Sequence, residues 1–203
     1  MVMKIDFSFY LAVLLAIFSR QVDVYLTYII AILVHELGHL VFANIFKWKL
    51  ESFRLTAIGG FLSFENDLIQ PLRQIFLVNL GGVIFNCIFI IILRWVNGPA
   101  SLIHTQLAII IFNLLPIAPL DGSKILQGIL NKVVGYKKTL SILKVLNMIF
   151  LFIFALAVGS LRLEQYFIAV VVLAVLVGKF QGHAPYMYER YKILKGLHPS
   201  PSS

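Results

Sequence analysis

The chain has 203 residues, of which 60% are hydrophobic and 13% are charged, and its formal net charge is +8. So large an apolar share excludes an ordinary soluble domain and predicts an integral membrane protein. The single cysteine, Cys87, excludes an internal disulfide and a zinc site built from cysteines. The Lys and Arg residues stand in short clusters between apolar runs, without a basic and aromatic pattern, so no nucleic-acid partner is expected.

The apolar runs predict an all-α polytopic membrane protein. A membrane helix needs about 17–25 mostly apolar residues. Six stretches approach this length: 7–19, 24–46, 75–96, 102–120, 140–158 and 166–178. Near the end of the chain, 186–195 is predicted to form a surface helix. We expect a single transmembrane domain over 1–180 and a short cytoplasmic tail over 181–203.

The distribution of positive charge predicts the orientation in the membrane. Cytoplasmic loops carry an excess of Lys and Arg. The large clusters fall between alternate pairs of predicted spans, whereas the opposite side holds Arg20, Arg94 and Arg162. The protein is therefore expected to cross a cell membrane several times, with both termini in the cytoplasm.

The connection between the second and third predicted spans is too long for a plain turn. Within it, residues 55–64 surround the Gly59-Gly60 pair with β-favouring side chains, which predicts a short re-entrant hairpin or edge strand. Lipid does not tolerate an open strand edge, so such a strand is covered by protein, lines a cavity or is completed by a bound peptide. An ordinary surface hairpin is the alternative.

The second predicted span contains His35-Glu36-Leu37-Gly38-His39. Positions i and i+4 of a helix share a face, so both imidazoles can reach one zinc ion while Glu36 lies beside it. Burying three polar groups on adjacent turns of an apolar helix is costly. The motif therefore indicates a metal-dependent hydrolytic site inside a membrane span.

A catalytic zinc ion usually has three protein ligands and one open position, so a third ligand is needed. Asp121 is the strongest candidate, because it follows Pro116 and Pro119, which break the fourth predicted span. The second and fourth spans run in the same direction, which puts His39 and Asp121 in the same half of the membrane. A helix-capping role for Asp121 is the alternative. The weaker candidate ligands are Glu51, Glu65, His104, His183 and His198.

Two motifs together resemble a known family. The span-embedded His35-Glu36-Leu37-Gly38-His39 and the later Asn113…Pro116…Pro119-Leu120-Asp121-Gly122 are similar to those of the site-2 proteases, a family of intramembrane zinc metalloproteases. Within that family the chain most resembles the six-span sporulation branch, which processes an inactive sigma-factor precursor. It departs from the pattern in two places. Gly82 stands where relatives often have a proline, and the last predicted span is followed by a short tail where relatives of the sporulation branch carry a nucleotide-responsive domain.

The resemblance implies a site and a reaction. It implies one Zn²⁺ per chain held by His35, His39 and Asp121, with Glu36 as the general base. It also implies that Asn113 and Pro119 help to hold substrate near the metal, and that Gly59 and Gly60 belong to a substrate-pairing strand.

The expected function is hydrolysis of a peptide bond in a membrane-associated protein, such as a sigma-factor precursor or an anti-sigma factor. The expected setting is the lipid bilayer of a bacterial cell membrane, where a membrane regulator could also act. A zinc-binding membrane transporter or sensor is an alternative, since transporters also use broken spans and polar groups at the membrane midplane. A catalytically inactive scaffold is the third reading, and the intact Glu36 argues against it.

Overall fold

The computed structural model describes residues 2–56, 59–65, 67–160, 187–188, 191–193 and 196. The chain divides into two compact units, Met1–Asn113 and Leu114–Ser203. The described helices and strands follow one another in this order: β1 (Val2–Ile5), α1 (Phe7–Phe18), α2 (Val22–Ile45), β2 (Leu50–Thr56), β3 (Gly59–Phe64), α3 (Leu72–Trp95), α4 (Ala100–Leu114), α5 (Asp121–Val134) and α6 (Tyr136–Ser160).

Five of the six predicted spans overlap described helices, and the sixth, 166–178, lies outside the described residues. Among the described residues, three helices are long and apolar enough to cross a membrane: Val22–Ile45, Leu72–Trp95 and Tyr136–Leu156. The helices α1 and α4 are apolar but shorter. Of the surface helix predicted at 186–195, only 187–188 and 191–193 are described, and these residues are helical.

The distribution of side chains is that of a membrane protein. Large apolar side chains face outward along the helices, including Ile91 at 68% and Phe152 at 66% exposed. Polar side chains lie inside, and those of Asn86, Gln106 and Asn147 are fully buried. An apolar exterior on this scale would be unfavourable in water and is stable in lipid.

The fourth helix is shorter than predicted. The sequence predicts a span over 102–120, but α4 ends at Leu114. Proline has no backbone N–H and its ring clashes with the preceding helical turn, so Pro116 and Pro119 stop the helix. The chain then forms a loop over 115–120 and enters α5 at Asp121.

The predicted hairpin is present between α2 and α3. Strand β2 pairs with β3 in antiparallel register, with Arg54 opposite Phe61 and Thr56 opposite Gly59. Gly59, the first residue of the Gly-Gly pair, begins β3. Its φ of +144° is a backbone conformation that favours glycine. The placement of this hairpin within the membrane remains a prediction.

The sheet contains a third strand, which we did not expect from the sequence. Strand β1 pairs in parallel with β2, giving the order β1-β2-β3. The Asp6 backbone N–H extends this pairing by donating to the Leu55 carbonyl at 2.8 Å. The Asp6 side chain then accepts from the Ser8 N–H and caps α1. Among the described residues β2 is therefore the central strand, and β1 and β3 are the two edge strands.

Helices α2 and α3 approach each other at glycine residues. A Cβ built on Gly38 would overlap the backbone of Gly81, and a Cβ built on Gly81 would lie 2.6 Å from the Gly38 carbonyl oxygen. Only a residue without a side chain allows two helical backbones to pack this closely. The contact brings the part of α2 that contains the two histidines directly against α3.

We expect Gly38→Ala to destabilise the protein by about 1–3 kcal/mol, because the added methyl group meets backbone atoms that cannot rotate away. Thermal unfolding in detergent, followed by circular dichroism, measures the effect. Leu37→Ala is the matched control, since Leu37 is the neighbouring residue and is 50% exposed. An unfolding temperature for Gly38→Ala equal to that of the control would show that the helices can separate without cost.

Candidate metal centre

The imidazole of His39 is fixed by a backbone carbonyl. Its Nδ1 lies 2.8 Å from the carbonyl oxygen of Val78 on α3, and both groups are buried. A carbonyl only accepts, so Nδ1 carries the proton and donates, which leaves the lone pair on Nε2. A hydrogen bond of this kind orients a metal-binding histidine and selects the nitrogen that binds the metal.

The imidazole of His35 lies on the backbone of Gly82. A Cβ added to Gly82 would lie 2.5 Å from Cε1 and 2.7 Å from both Nδ1 and Nε2 of His35. All three atoms belong to the ring, so the imidazole occupies the space that a side chain at position 82 would fill. Gly82, which stands where relatives often have a proline, is therefore the residue against which His35 packs.

The two histidines are arranged as a pair of ligands for one metal ion. Their Nε2 atoms are 3.1 Å apart, and the rings meet edge to face with centroids 4.7 Å apart. Two nitrogens bound to a tetrahedral zinc ion at about 2.0–2.1 Å would be separated by roughly 3.3 Å. The spacing of the nitrogens and the tautomer of His39 both suit Zn²⁺.

Glu36 is buried and packs against the start of β3. A Cβ on Gly60 would lie 2.7 Å from Cγ and 2.9 Å from Cδ of Glu36. Glu36 directly follows His35 on α2, and it is buried together with His35 and His39. The hairpin therefore reaches the candidate general base through a residue that has no side chain.

Asp121 is the first residue of α5, and it is buried at 5% exposure. Its Oδ1 accepts a hydrogen bond from Nζ of Lys124 at 3.0 Å, one helical turn later. The chain turns sharply here, since a Cβ on Gly122 would overlap the carbonyl oxygens of Leu114 and Leu115. Gly122 thus allows α5 to start directly against the end of α4.

The two residues that the resemblance assigns to substrate binding lie just before Asp121 in the chain. Asn113 is in the last turn of α4, where its Nδ2 donates to the Ile109 carbonyl at 3.1 Å. Pro119 is part of the loop over 115–120. For both residues the role in substrate binding remains a prediction.

Of the weaker candidate ligands, Glu51, Glu65 and His104 are exposed. His183 and His198 lie outside the described residues. Exposed side chains on a strand, in a turn and on a helix do not form the buried, oriented ligand set that a catalytic metal requires.

Sequence reasoning did not assign a role at this site to three groups: the Val78 carbonyl, Gly81 and Gly82. A backbone carbonyl gives no signal in a sequence. The glycines do, because small residues in membrane helices mark the places where helices approach closely.

The model of peptidase family M50 matches residues 24–99 and 100–157, which is more than half of the chain. The chain is 30% identical over 133 residues to stage IV sporulation protein FB of Bacillus subtilis, covering 61% of this chain and 46% of that protein. It is also 30% identical over 121 residues to a zinc metalloprotease of Methanocaldococcus jannaschii, covering 56% of this chain and 36% of that one.

The chain thus spans less than half the length of these curated relatives. A solved structure of the site-2 protease from Methanocaldococcus jannaschii shares the fold, with a TM-score of 0.68, 22% identity, and coverage of 87% of this chain and 89% of that one. The match of the family model, which includes both histidines and Asp121, carries the assignment: the chain belongs to peptidase family M50.

Proposed function

We propose that this protein is an intramembrane zinc endopeptidase that cleaves a membrane-associated protein. The observation that carries the proposal is the pair of buried imidazoles whose Nε2 atoms lie 3.1 Å apart beside a buried glutamate. Membership in peptidase family M50 supports a peptidase reaction, and three long apolar helices support a membrane setting.

The proposed metal site has three protein ligands: His35, His39 and Asp121. Asp121 is a suitable third ligand because it is a buried carboxylate at the end of a broken apolar helix, where an ionisable group needs a partner. A bound Zn²⁺ would supply Lewis acidity, both to a water molecule and to the carbonyl of the scissile bond. The fourth position stays open for these groups.

Glu36 is the proposed general base. Its position beside the histidines lets it take a proton from the attacking water and later deliver that proton to the leaving amide nitrogen. Its burial keeps bulk water from competing for the carboxylate. The same carboxylate therefore serves both proton transfers, and the net reaction is addition of one water molecule across the peptide bond.

The substrate segment is proposed to bind as an extended strand along β3. A helical substrate hides its carbonyl groups, so cleavage requires local unwinding. Among the described residues β3 pairs with β2 alone, which leaves its second edge available for strand addition. Gly60 packs on Glu36, so a strand bound there would pass close to the general base. Asn113 and Pro119 are proposed to contact the same segment.

The finer topology is also proposed: six spans, both termini in the cytoplasm, and a bacterial cell membrane. The concentration of Lys and Arg on one side of the predicted spans supports this orientation. Sigma-factor precursors and anti-sigma factors are the substrate classes we favour, because the motifs resemble the sporulation branch and a sporulation protein, stage IV sporulation protein FB, is among the relatives.

We expect Glu36→Gln to abolish cleavage, with a loss of at least about 10²–10⁴-fold, because proton transfer is removed while the ligands stay intact. The purified protein is loaded with Zn²⁺ and incubated with solubilised bacterial membranes, and new peptide termini are counted by mass spectrometry. Glu65→Gln is the control, since Glu65 is exposed. New termini at wild-type levels with Glu36→Gln would refute the role of Glu36.

Asp121→Ala and His39→Ala should each weaken zinc binding by at least about tenfold. Loss of a residue that only hydrogen-bonds to a metal ligand already lowers metal affinity by about 10–100-fold, and loss of a ligand itself should cost no less. Equilibrium dialysis with metal analysis measures the affinity. Lys132→Ala is the control, as an exposed residue on the same helix as Asp121. Wild-type affinity in Asp121→Ala would remove Asp121 from the ligand set without affecting the two histidines.

Gly60→Ala should lower cleavage by about tenfold or more while zinc stays bound. The added methyl group would meet Glu36 at 2.7 Å and the Phe53 ring at 3.1 Å, so the general base must move. Ser63→Ala, at an exposed position on the same strand, is the control. Equal cleavage by both variants would show that the position of β3 does not determine that of Glu36.

A further inference from the structure

Asn147 is a polar residue in the middle of the apolar helix α6. Its side chain is fully buried at 0% exposure. Its Oδ1 accepts a hydrogen bond from the backbone N–H of Ala118 at 2.9 Å, although the two residues are 29 positions apart. The contact joins α6 to the loop over 115–120, which precedes Asp121.

The loop needs this partner because two prolines have broken the helix. After α4 ends, the Ala118 N–H is no longer part of a helix, and Ala118 is itself 0% exposed. A buried N–H without a partner is strongly unfavourable in an apolar environment, and within a membrane it must be satisfied by protein. Asn147 supplies the acceptor that the broken helix lacks.

The orientation of the Asn147 carboxamide follows from chemistry. Ala118 N–H is a donor, so the group facing it is the oxygen, and the nitrogen faces away. Among the described residues Nδ2 is buried and has no hydrogen-bond partner. An apolar residue at 147 would avoid this cost. The hydrogen bond that its oxygen accepts from Ala118 therefore explains why an asparagine is present here.

A second contact of the loop involves the same side of α6. The buried side chain of Ile117 packs against Phe150 and Leu151, which follow Asn147 at helical spacings of three and four residues. The loop is thus held at two consecutive residues, by an apolar contact at Ile117 and by a hydrogen bond at Ala118.

Fixing Ala118 also limits where Asp121 can lie. The Leu120 N–H donates to the Ile117 carbonyl at 2.8 Å, and the Ser123 hydroxyl donates to the Leu120 carbonyl at 2.7 Å. These short-range bonds make 117–123 one continuous hydrogen-bonded turn. A displacement of Ala118 would therefore be passed on to the carboxylate three residues later.

We propose that Asn147 is a positioning residue: its carboxamide oxygen holds the loop over 115–120 and thereby places Asp121. The hydrogen bond that holds the loop does not depend on the reaction. The expected effect of Asn147 on zinc affinity and on cleavage rests on the function proposed above.

Two substitutions separate the hydrogen bond from simple packing. Asn147→Leu keeps the branched shape of the side chain and removes the acceptor, while Asn147→Asp keeps an acceptor oxygen in the same place. Thr139→Val is the matched control, because Thr139 is also fully buried on α6 and its hydroxyl donates to the Gly135 carbonyl one turn earlier. The full chain is purified in detergent for each variant.

Amide hydrogen exchange of the peptide that covers 115–120 is measured by mass spectrometry, without zinc. We expect exchange at least about tenfold faster in Asn147→Leu, because the Ala118 amide loses its hydrogen bond and the loop opens to solvent more often. Exchange rates in Asn147→Asp and Thr139→Val should stay within about threefold of the wild type. Unchanged exchange in Asn147→Leu would overturn the proposal. If that variant does not fold, Asn147→Asp decides, since loss of protection there overturns it and retention supports it.

Zinc affinity and steady-state cleavage of a substrate found in the membrane digest give the second readout. Misplacing one ligand should weaken zinc binding by about 10–100-fold and lower kcat with KM nearly unchanged in Asn147→Leu, with recovery in Asn147→Asp. If the wild type cleaves nothing, the proposed function fails while hydrogen exchange still tests the loop. Normal zinc affinity together with faster exchange would show that the loop does not place Asp121.

Discussion

The close approach of α2 and α3 is the constraint on which the candidate site depends. Gly38 and Gly81 let the two backbones touch, and this contact brings the Val78 carbonyl within hydrogen-bonding distance of His39 and puts Gly82 beneath the ring of His35. In lipid there is no hydrophobic force that pulls helices together, so close packing of small residues takes its place. The arrangement of the two histidines in the candidate metal site is therefore a consequence of helix packing. Each of the two imidazoles is in contact with the backbone of α3, His39 with the Val78 carbonyl and His35 with Gly82.

A second constraint is that polar groups inside the membrane must find partners within the protein. The chain meets it differently in its two units. In the first unit, the His39 Nδ1–H is satisfied by a carbonyl of α3. In the second, the broken helix leaves the Ala118 N–H to be satisfied by Asn147 of α6. In both cases a backbone group on one element and a side chain on another are paired, and the pair fixes a segment that carries a candidate ligand. The hydrogen bonds that satisfy these buried polar groups therefore also position the segments of the candidate site.

Much of the site could be predicted from the sequence because its signals are local. The i, i+4 spacing of His35 and His39 is a property of one helix, and the prolines before Asp121 end a helix through their own covalent structure. The end of α4 was placed too late, at 120, because apolar composition continues through the loop while the backbone does not. Strand β1 was missed, since Val2–Ile5 becomes a strand only by pairing with β2, which lies about fifty residues away in the chain. Asn147 was missed as well, although a lone asparagine in an apolar helix is itself a signal.

The sequence alone therefore determined the class of protein, the helix that carries the histidines, the place where the fourth span breaks and the chemistry of the candidate ligands. These depend on composition, on periodicity and on residues that act on their own backbone. Only the tertiary structure decided which nitrogen of His39 is free, what lies beneath His35, how near the hairpin comes to Glu36 and which side chain holds the loop before Asp121. Each of these depends on two segments far apart in the chain meeting at ångström distances, and no pattern within one segment contains that information.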